Sequence, residues 1–319
     1  MERAITLAMR DYDYLAPLAS GDVRVDGVAL TLVRDTPGAL TQALEDPEVH
    51  AGEISLSKHI QRVAAGDRGV VGIPTFPYRA FRHRCFFVRR DSGLRDFRDL
   101  AGRRIGTNDW HATGNTWSRA LLRDAGVPLD GIEWWVGSVD GPAPRRTPAT
   151  PPPPVRSAPA GRALRDMLLE GELDALMCPA PPAGFYAAAG AIVRLIPDYP
   201  AAERAYYRRT GIYPLQHLVG VRREVFERDP QVAVTLYDAL ERSKRLWQAS
   251  RRDLADTLPW TLSEVEAATA LIGDDWHPNG IDPNRRTLDA FLDEQLAQRL
   301  IARPLSAEAL FSEYLALAG

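Results

Sequence analysis

Short apolar segments alternate with segments of helical period over the first two-thirds of the chain, and this alternation limits the fold more than any other feature. Residues 5–9 and 70–74 are apolar runs of strand length, and residues 57–65 have a helical period closed by Gly66. The remaining segments of this part are predicted as strands at 23–25, 28–33 and 85–89 and a helix at 37–44. This order predicts an α/β fold with a mostly parallel sheet.

A second series of strands and helices begins at Asp96, and a purely helical region follows it. Residues 132–136 and 174–178 predict strands of the second series, and residues 115–125 predict a helix. Every segment after Glu224 has a helical period. The predicted helices of that region cover residues 232–250, 263–272, 287–298 and 307–318.

Two strand-rich series followed by a helical region predict two α/β lobes. The chain is expected to cross from one lobe to the other twice. The crossings are expected near residues 88–91 and 208–213. Lobe one then comprises residues 1–91 and 209–319, with the C-terminal helices, and lobe two comprises residues 92–208. Two crossings form a hinge, and the cleft beside a hinge is a common position for a ligand.

The charge balance and the apolar pattern argue against several classes of protein. With 39 Lys and Arg against 42 Asp and Glu, the net charge is −3, whereas a nucleic-acid-binding protein usually has a basic surplus. No apolar run approaches the ~18 residues that a membrane span needs. Residues 1–9 lack the apolar core and cleavage site of a secretory signal, so a cytoplasmic location is expected.

Sequence motifs for metals and common cofactors are missing. None of the six histidines has a close metal-ligand partner, and Cys85 and Cys178 lie in apolar runs typical of buried thiols. The absence of Gly-x-Gly-x-x-Gly and Gly-x-Ser-x-Gly argues against a nicotinamide enzyme and a serine hydrolase. His217 lies in an apolar strand, as a core residue or as part of a site. Residues 141–160 hold eight prolines and predict a surface loop.

The densest polar cluster lies between two predicted strands, at residues 75–84. It contains Arg79, Arg82, Arg84 and His83. A guanidinium group pairs with a carboxylate through two parallel hydrogen bonds, so the cluster indicates an anion-binding site. The alternative is a solvated loop with one structural ion pair.

A second polar segment, residues 106–114, opens the helix predicted from Asn115. The N–H groups and the positive dipole end of a helix N-terminus suit a carboxylate or a phosphate. Thr113 fits such a site, and it fits equally well as a plain N-cap. The segment is not a P-loop, because the Gly-Lys-Ser/Thr ending is missing.

Ordered strings along nearly the whole chain match one known family. The most specific string is Arg79-Ala80-Phe81-Arg82-His83. The other matching positions are 11–13, 17–18, 53–57, 73–78, 99–102, 113, 117, 119, 171–176, 211–217, 284–288 and 290–291. In these strings the chain resembles the 4,5-dihydroxyphthalate decarboxylase family. The resemblance implies a two-lobed type II periplasmic-binding-protein-like α/β fold, used as a cytoplasmic enzyme.

The sequence departs from the family pattern at three places. His50 stands where the family has an aspartate, and Trp110-His111-Ala112 stands where it has Tyr-Gln-Met. Residues 179–182 lack the arginine that usually follows the strand ending at Cys178. These positions belong to the expected cleft, so they leave the fold unaffected and the exact substrate open.

The resemblance implies a carboxy-lyase that uses no metal and no organic cofactor. Its substrate is a hydroxylated, phthalate-like aromatic acid, which is protonated on the ring before CO2 leaves. Arg79 and Arg82 are expected to clamp a carboxylate. His83 is the first candidate for the general acid and His217 the second, since histidine titrates near neutrality, and Glu53 orients a histidine. The other candidate substrate-binding residues are Asp11, Tyr12, Ser55, Thr107, Trp110, His111, Thr113 and Tyr213.

Two other functions remain open at this point. A solute-binding protein of a transporter shares the expected fold and would bind a small carboxylate without turnover. Another cytoplasmic enzyme on the same fold, similar to the chorismate dehydratases, is the third hypothesis. In each case the expected partner is a small molecule rather than a nucleic acid or a membrane, and a homo-oligomer is left open.

Overall fold

The computed structural model describes residues 3–35, 44–141, 154–187, 190–254 and 258–318. The chain divides into unit 1, Met1–Arg79 with Leu215–Gly319, and unit 2, Ala80–Pro214. The boundaries expected from the sequence, after residues 91 and 208, differ from this division. Residues 80–91 belong to unit 2 because the strand Phe86–Arg89 pairs with strands of that unit.

The strands are short, as the lengths of the apolar runs predict. They are β1 Arg3–Arg10, β2 Val28–Asp35, β3 Ala51–Ser55, β4 Val70–Ile73, β5 Phe86–Arg89, β6 Arg104–Thr107, β7 Glu133–Val136, β8 Arg156–Ser157, β9 Ala175–Met177, β10 Ile192–Arg194 and β11 His217–Arg222. The helices are α1 Ala16–Ser20, α2 Leu56–Ala64, α3 Thr113–Asp124, α4 Leu164–Leu169, α5 Tyr199–Thr210, α6 Arg223–Arg228, α7 Gln231–Leu254, α8 Thr261–Ile272, α9 Arg285–Ala297, α10 Ala307–Leu310 and α11 Ser312–Ala318.

Each unit contains one sheet. Sheet 1, in unit 1, has the order β2-β1-β3-β11-β4, and sheet 2, in unit 2, has the order β10-β5-β9-β6-β7-β8. β5 and β11 are the first strands after the chain enters a unit from the other one. Both run antiparallel to both of their neighbours. The sheets are therefore mixed rather than mostly parallel.

The described C-terminal part after β11 is helical, as its period predicts, and it belongs to unit 1. Its longest helix, α7, contributes Val232, Leu236 and Leu240 to a core that also contains Leu7 of β1 and Val219 of β11. Unit 2 has its own core around α4 and β9. None of the helices in the described ranges has the length and apolar content needed to cross a membrane.

Two local predictions need comment. Residues 23–25 form no strand, although Val23 and Val25 are buried in the core of unit 1, so their apolar side chains reflect packing of a loop. The helix expected at 37–44 and the proline-rich loop expected at 141–160 fall largely on residues 36–43 and 142–153, which lie outside the described residues.

Candidate active site

A buried carboxylate forms the centre of the polar cluster in unit 1. Glu53 lies on β3 with its side chain fully buried, and His217 lies on the adjacent β11. The Glu53 Oε1 atom contacts His217 Nδ1 and accepts a hydrogen bond from the Tyr12 hydroxyl at 2.6 Å. The other oxygen, Oε2, accepts the main-chain N–H of Arg10 at 3.1 Å. Three groups from two segments, residues 10–12 and β11, therefore hold both oxygens of one carboxylate.

These contacts decide the protonation of the cluster. Burial alone raises the pKa of Glu53, but the hydrogen bond and charge of His217, with the donors on Tyr12 and Arg10, lower it below its ordinary value. Burial and the charge of Glu53 raise the pKa of Tyr12, so this hydroxyl stays protonated and donates. An ionised carboxylate only accepts hydrogen bonds, so His217 presents Nδ1–H to it. Nε2 is then the nitrogen that gains and loses a proton.

Aromatic rings surround the Glu53–His217 pair. The Tyr12 and Tyr14 rings stack at 5.2 Å, and the Tyr12 and Tyr78 rings stack at 6.2 Å. The Tyr78 ring also lies 5.4 Å from the His217 ring, and the Arg10 guanidinium lies 5.2 Å from the Tyr78 centroid. The arrangement offers flat apolar faces beside one cation, which suits an aromatic anion.

The other candidate residues of unit 1 lie in different surroundings. Asp11 is exposed and pairs with Arg34 at 2.9 Å. Ser55 ends β3 and caps α2, where its hydroxyl accepts the N–H of Lys58 at 3.4 Å. Arg79 is buried, and its Nη2 donates to the Pro278 carbonyl and to Asn284 Oδ1. These contacts connect Arg79 to the segment before α9.

In unit 2, Arg82 lies against the N-terminus of α3. A Cβ atom on Gly114, the second residue of that helix, would lie 2.6 Å from the Arg82 guanidinium carbon. Only glycine lets the guanidinium approach the helix so closely. A cation beside the positive end of a helix is unfavourable unless an anion joins them, so this placement indicates an anion site.

Buried polar atoms without partners lie near the same helix end. Thr107, the last residue of β6, is fully buried, and no described group bonds its Oγ1. Trp110 Nε1 is likewise buried without a partner in the described part of the chain. Thr113 is buried at the start of α3, and half-buried His111 donates its main-chain N–H to Asp109. Unpaired buried donors are rare and usually indicate a missing ligand or water.

His83 has different surroundings from those of His217. Its ring lies 5.4 Å from Tyr206 and 5.9 Å from Phe97, and no carboxylate of the described ranges bonds it. Burial, with a smaller effect of Arg209, lowers the pKa of His83 to about 4, so the ring is neutral near pH 7. Tyr213, the last candidate, stacks on Phe81 at 4.8 Å.

Three residues near these clusters were not among the site residues predicted from the sequence. Arg10 ends β1 and precedes the polar run 11–14, which was a usable signal because strand ends commonly carry site residues. Tyr78 lay inside the 75–84 cluster but carries no charge. Glu203 lies on the polar helix α5, where nothing in the sequence distinguishes it; burial raises its pKa to about 7. Within the described residues, no group of three or more His, Cys, Asp and Glu is placed to hold a metal.

The curated relatives of the chain are decarboxylases. It is 31% identical over 315 residues to a 4,5-dihydroxyphthalate decarboxylase of Comamonas testosteroni, covering 96% of each chain. It is 31% identical over 209 residues to a 4,5-dihydroxyphthalate decarboxylase of Pseudomonas putida, covering 64% of this chain and 81% of the relative. No protein-family model matches the sequence.

Solved structures show the fold. The periplasmic aliphatic sulphonate-binding protein of Escherichia coli superposes with a TM-score of 0.53 at 14% identity, covering 97% of this chain and 92% of that one. A Candida albicans protein with the generic periplasmic-binding-protein fold gives a TM-score of 0.54 at 14% identity, covering 98% and 95%. The two-lobed periplasmic-binding-protein-like fold expected from the sequence is confirmed.

Proposed function

The chain belongs to the 4,5-dihydroxyphthalate decarboxylase family, and from this premise we propose that it is a carboxy-lyase acting on a hydroxylated aromatic carboxylic acid. The observation that carries the proposal is the Glu53–His217 pair of unit 1, surrounded by tyrosine rings. The pair supplies a proton donor beside flat apolar faces. Protonation of an aromatic ring requires the donor, and the apolar faces favour binding of the ring beside it.

The reaction needs a proton at the ring carbon that bears the carboxylate. Direct loss of CO2 would leave an aryl anion, which is prohibitively unstable. Transfer of the Nε2 proton of protonated His217 to that carbon forms a C–H bond, and a hydroxyl para to the carbon stabilises the resulting intermediate. The bond to the carboxylate then breaks, CO2 leaves, and its electron pair restores the aromatic ring. His217 recovers a proton from solvent.

The surroundings of the two histidines support His217 as the acid. The Glu53 carboxylate stabilises the imidazolium of His217, and an acid must be charged before it can deliver the proton. His83 is buried among rings that favour its neutral form. Glu53 acts on the ring of His217, and Tyr12 acts on Glu53, so both are positioning residues.

Unit 2 offers its own anion-binding set. We assign carboxylate binding to Arg82, the N-terminus of α3, and the buried polar groups of Thr107, Trp110 and Thr113. An arginine beside helix N–H groups is a strong carboxylate site. Arg79 is better explained by its bonds to Pro278 and Asn284. We place the reaction in the cytoplasm, in line with the enzyme family.

The test measures CO2 release and deuterium incorporation in D2O. Protein treated with a metal chelator is incubated with 4,5-dihydroxyphthalate and related hydroxylated phthalates. The product is expected to carry one deuterium at the ring position that held the carboxylate. His217→Asn should lower kcat by ~10²–10⁴-fold with substrate affinity largely kept, the usual effect of removing a positioned acid. His83→Asn, the same substitution in unit 2, is the matched control and should stay within a few-fold of wild type.

Three outcomes would contradict the proposal. Loss of activity in His83→Asn but not in folded His217→Asn would move the acid to unit 2. Tight binding of these acids without turnover would favour a solute-binding protein. Neither binding nor turnover would place the substrate outside hydroxylated phthalates.

A further inference from the structure

Unit 2 contains a cavity on its surface that none of the groups above uses. It has a volume of about 480 Å³ and lies beside β10, the edge strand of sheet 2. It is lined by Arg90, Arg95, Arg194 and Phe185, and by Pro197, which follows β10 in the chain. Cavities of this size commonly hold small organic ligands.

The three arginines are held in place by main-chain carbonyls. Arg90 Nε donates to the Gly190 carbonyl at 2.9 Å, and Arg95 Nη1 donates to the Leu94 carbonyl at 2.6 Å. Arg194 Nε donates to the Arg84 carbonyl at 3.3 Å. Each guanidinium has five N–H donors, so each keeps further donors for a ligand. Because the groups are already oriented, a ligand does not have to order them.

Carboxylates act on the arginines of this cavity without pairing with them: the charge of Glu203 acts on Arg194, and that of Asp99 acts on Arg95. No ion pair joins Arg90, Arg95 or Arg194 to an acidic residue among the described residues, and Asp91 pairs instead with Arg89 at 3.4 Å. Asp99 accepts main-chain N–H groups of Arg95 and Asp96. Three positive groups around one cavity repel each other, and an anion relieves that repulsion.

Aromatic rings surround Arg194, and one of them, Phe185, lines the cavity. The Arg194 guanidinium lies 4.7 Å from the Phe185 centroid and 5.0 Å from the Tyr199 centroid. Phe185 packs edge-on against Phe87 of β5 at 5.3 Å, which anchors it to the core of unit 2. A planar ring therefore finds a fixed aromatic partner beside the guanidinium groups.

We propose that this cavity is a second ligand site, which binds a small aromatic carboxylate with its carboxylate on Arg90 and Arg95 and its ring against Phe185. Arg194 contacts the ligand at the junction of the two parts. The site is separate from the Arg82 set and does not depend on turnover.

The test is a binding titration with 4-fluorobenzoate followed by fluorine NMR. This probe has no ring hydroxyl for the decarboxylation described above. The variant Arg90→Ser/Arg95→Ser removes two exposed arginines and should weaken one binding component by about tenfold or more, since charge-assisted hydrogen bonds are lost. The control Arg98→Ser/Arg103→Ser makes the same change of charge at two other exposed arginines of unit 2 and should leave that component unchanged.

Two further probes separate an aromatic site from a general anion site. Cyclohexanecarboxylate keeps the carboxylate but lacks the planar ring, and it should bind several-fold more weakly. Inorganic phosphate tests charge alone and should compete poorly. Equal competition by phosphate, an unchanged titration in Arg90→Ser/Arg95→Ser, or no saturable binding by the unaltered protein would each overturn the proposal. Circular dichroism melts of both variants confirm that they fold.

Discussion

Glu53 shows how one side chain determines the properties of its neighbours. Its two oxygens accept from Tyr12, His217 and the main chain of Arg10, so the carboxylate is satisfied although no water reaches it. A buried charge is tolerated when donors replace its hydration. The same contacts fix the tautomer of His217 and keep Tyr12 protonated.

The lowered pKa of Glu53 gives a stability prediction with a definite sign. A carboxyl whose pKa is lower in the folded state stabilises the fold above its unfolded pKa and loses this effect as the pH falls through the folded value. Glu53→Gln keeps the shape but places an amide opposite the Arg10 N–H, so it should cost ~1–3 kcal/mol at pH 7. The difference from wild type should shrink between pH 5 and pH 3. Urea unfolding across this range measures it, and a difference that grows on acidification would contradict the assignment.

At the scale of single residues, the sequence indicated which residues are candidates for the site better than it indicated which of them contact each other. Glu53 and His217 were both candidates, and the structure joins them, because β3 and β11 are adjacent. Asp11 was named for the same reason as Tyr12, yet Asp11 points to Arg34 at the surface and Tyr12 to Glu53. Consecutive residues at a strand end point in different directions, and sequence alone does not say which one faces the site.

Three glycines form a row across the middle of sheet 1. Gly220 of β11 lies opposite Gly52 of β3 on one side and opposite Gly72 of β4 on the other. The space above the row is filled by larger neighbours. A Cβ on Gly72 would lie 2.7 Å from His59 Nε2 of α2. Gly72 therefore allows α2 to pack closely onto the sheet.

Gly220→Ala tests the packing around the central glycine of this row. The new methyl would lie 2.6 Å from Val70 Cγ1 and 2.8 Å from Ile54 Cδ1, so either these side chains or β11 must shift. The expected cost is ~1–3 kcal/mol of unfolding free energy, the usual effect of overpacking a core. Gly131→Ala is the control, because its nearest neighbour would be 3.9 Å away. Urea midpoints of the two variants decide the matter, and equal midpoints would exclude overpacking.

The periodicity of apolar residues predicted which segments are strands and which are helices, but it did not predict which strands pair with each other. The runs at 5–9, 70–74 and 174–178 became β1, β4 and β9, because apolar runs of this length are stable as buried strands. Residues 23–25, Val-Arg-Val, were also predicted as a strand but find no strand partner. A strand exists only when a neighbour supplies hydrogen bonds, and the neighbour is a property of the whole fold.

The two units differ in how the chain builds them. Unit 2 is one continuous segment, Ala80–Pro214, whereas unit 1 consists of two. The sequence placed the first boundary near residue 91, because residues 85–89 form an apolar run that either sheet could accept. The cavity beside β10 was missed for a related reason, since Arg90 is far in sequence from Phe185 and Arg194, and the pairing of β5 with β10 brings the two parts of the chain together.

Fragments of the chain should differ in whether they fold, because only unit 2 is one continuous segment. A fragment of residues 80–214 keeps every strand of sheet 2 and should unfold cooperatively on heating. A fragment of residues 1–79 lacks β11 and α7, and with them Val219 and Leu236 of the core, so it should show no cooperative transition. Circular dichroism and proton NMR of the two fragments measure this. A cooperative melt of 1–79 would show that β11 and α7 are not needed.

Glu53 and His217 are 164 positions apart, and this separation has a consequence for synthesis on the ribosome. β3 and β4 emerge early, but the position between them in sheet 1 belongs to β11. Until β11 arrives, Glu53 lacks its histidine partner and sheet 1 has a gap at its centre. A nascent chain released anywhere within unit 2 cannot assemble the pair. Under the proposed mechanism, decarboxylation is therefore restricted to molecules translated beyond β11, and shorter products are expected to be inactive from the start.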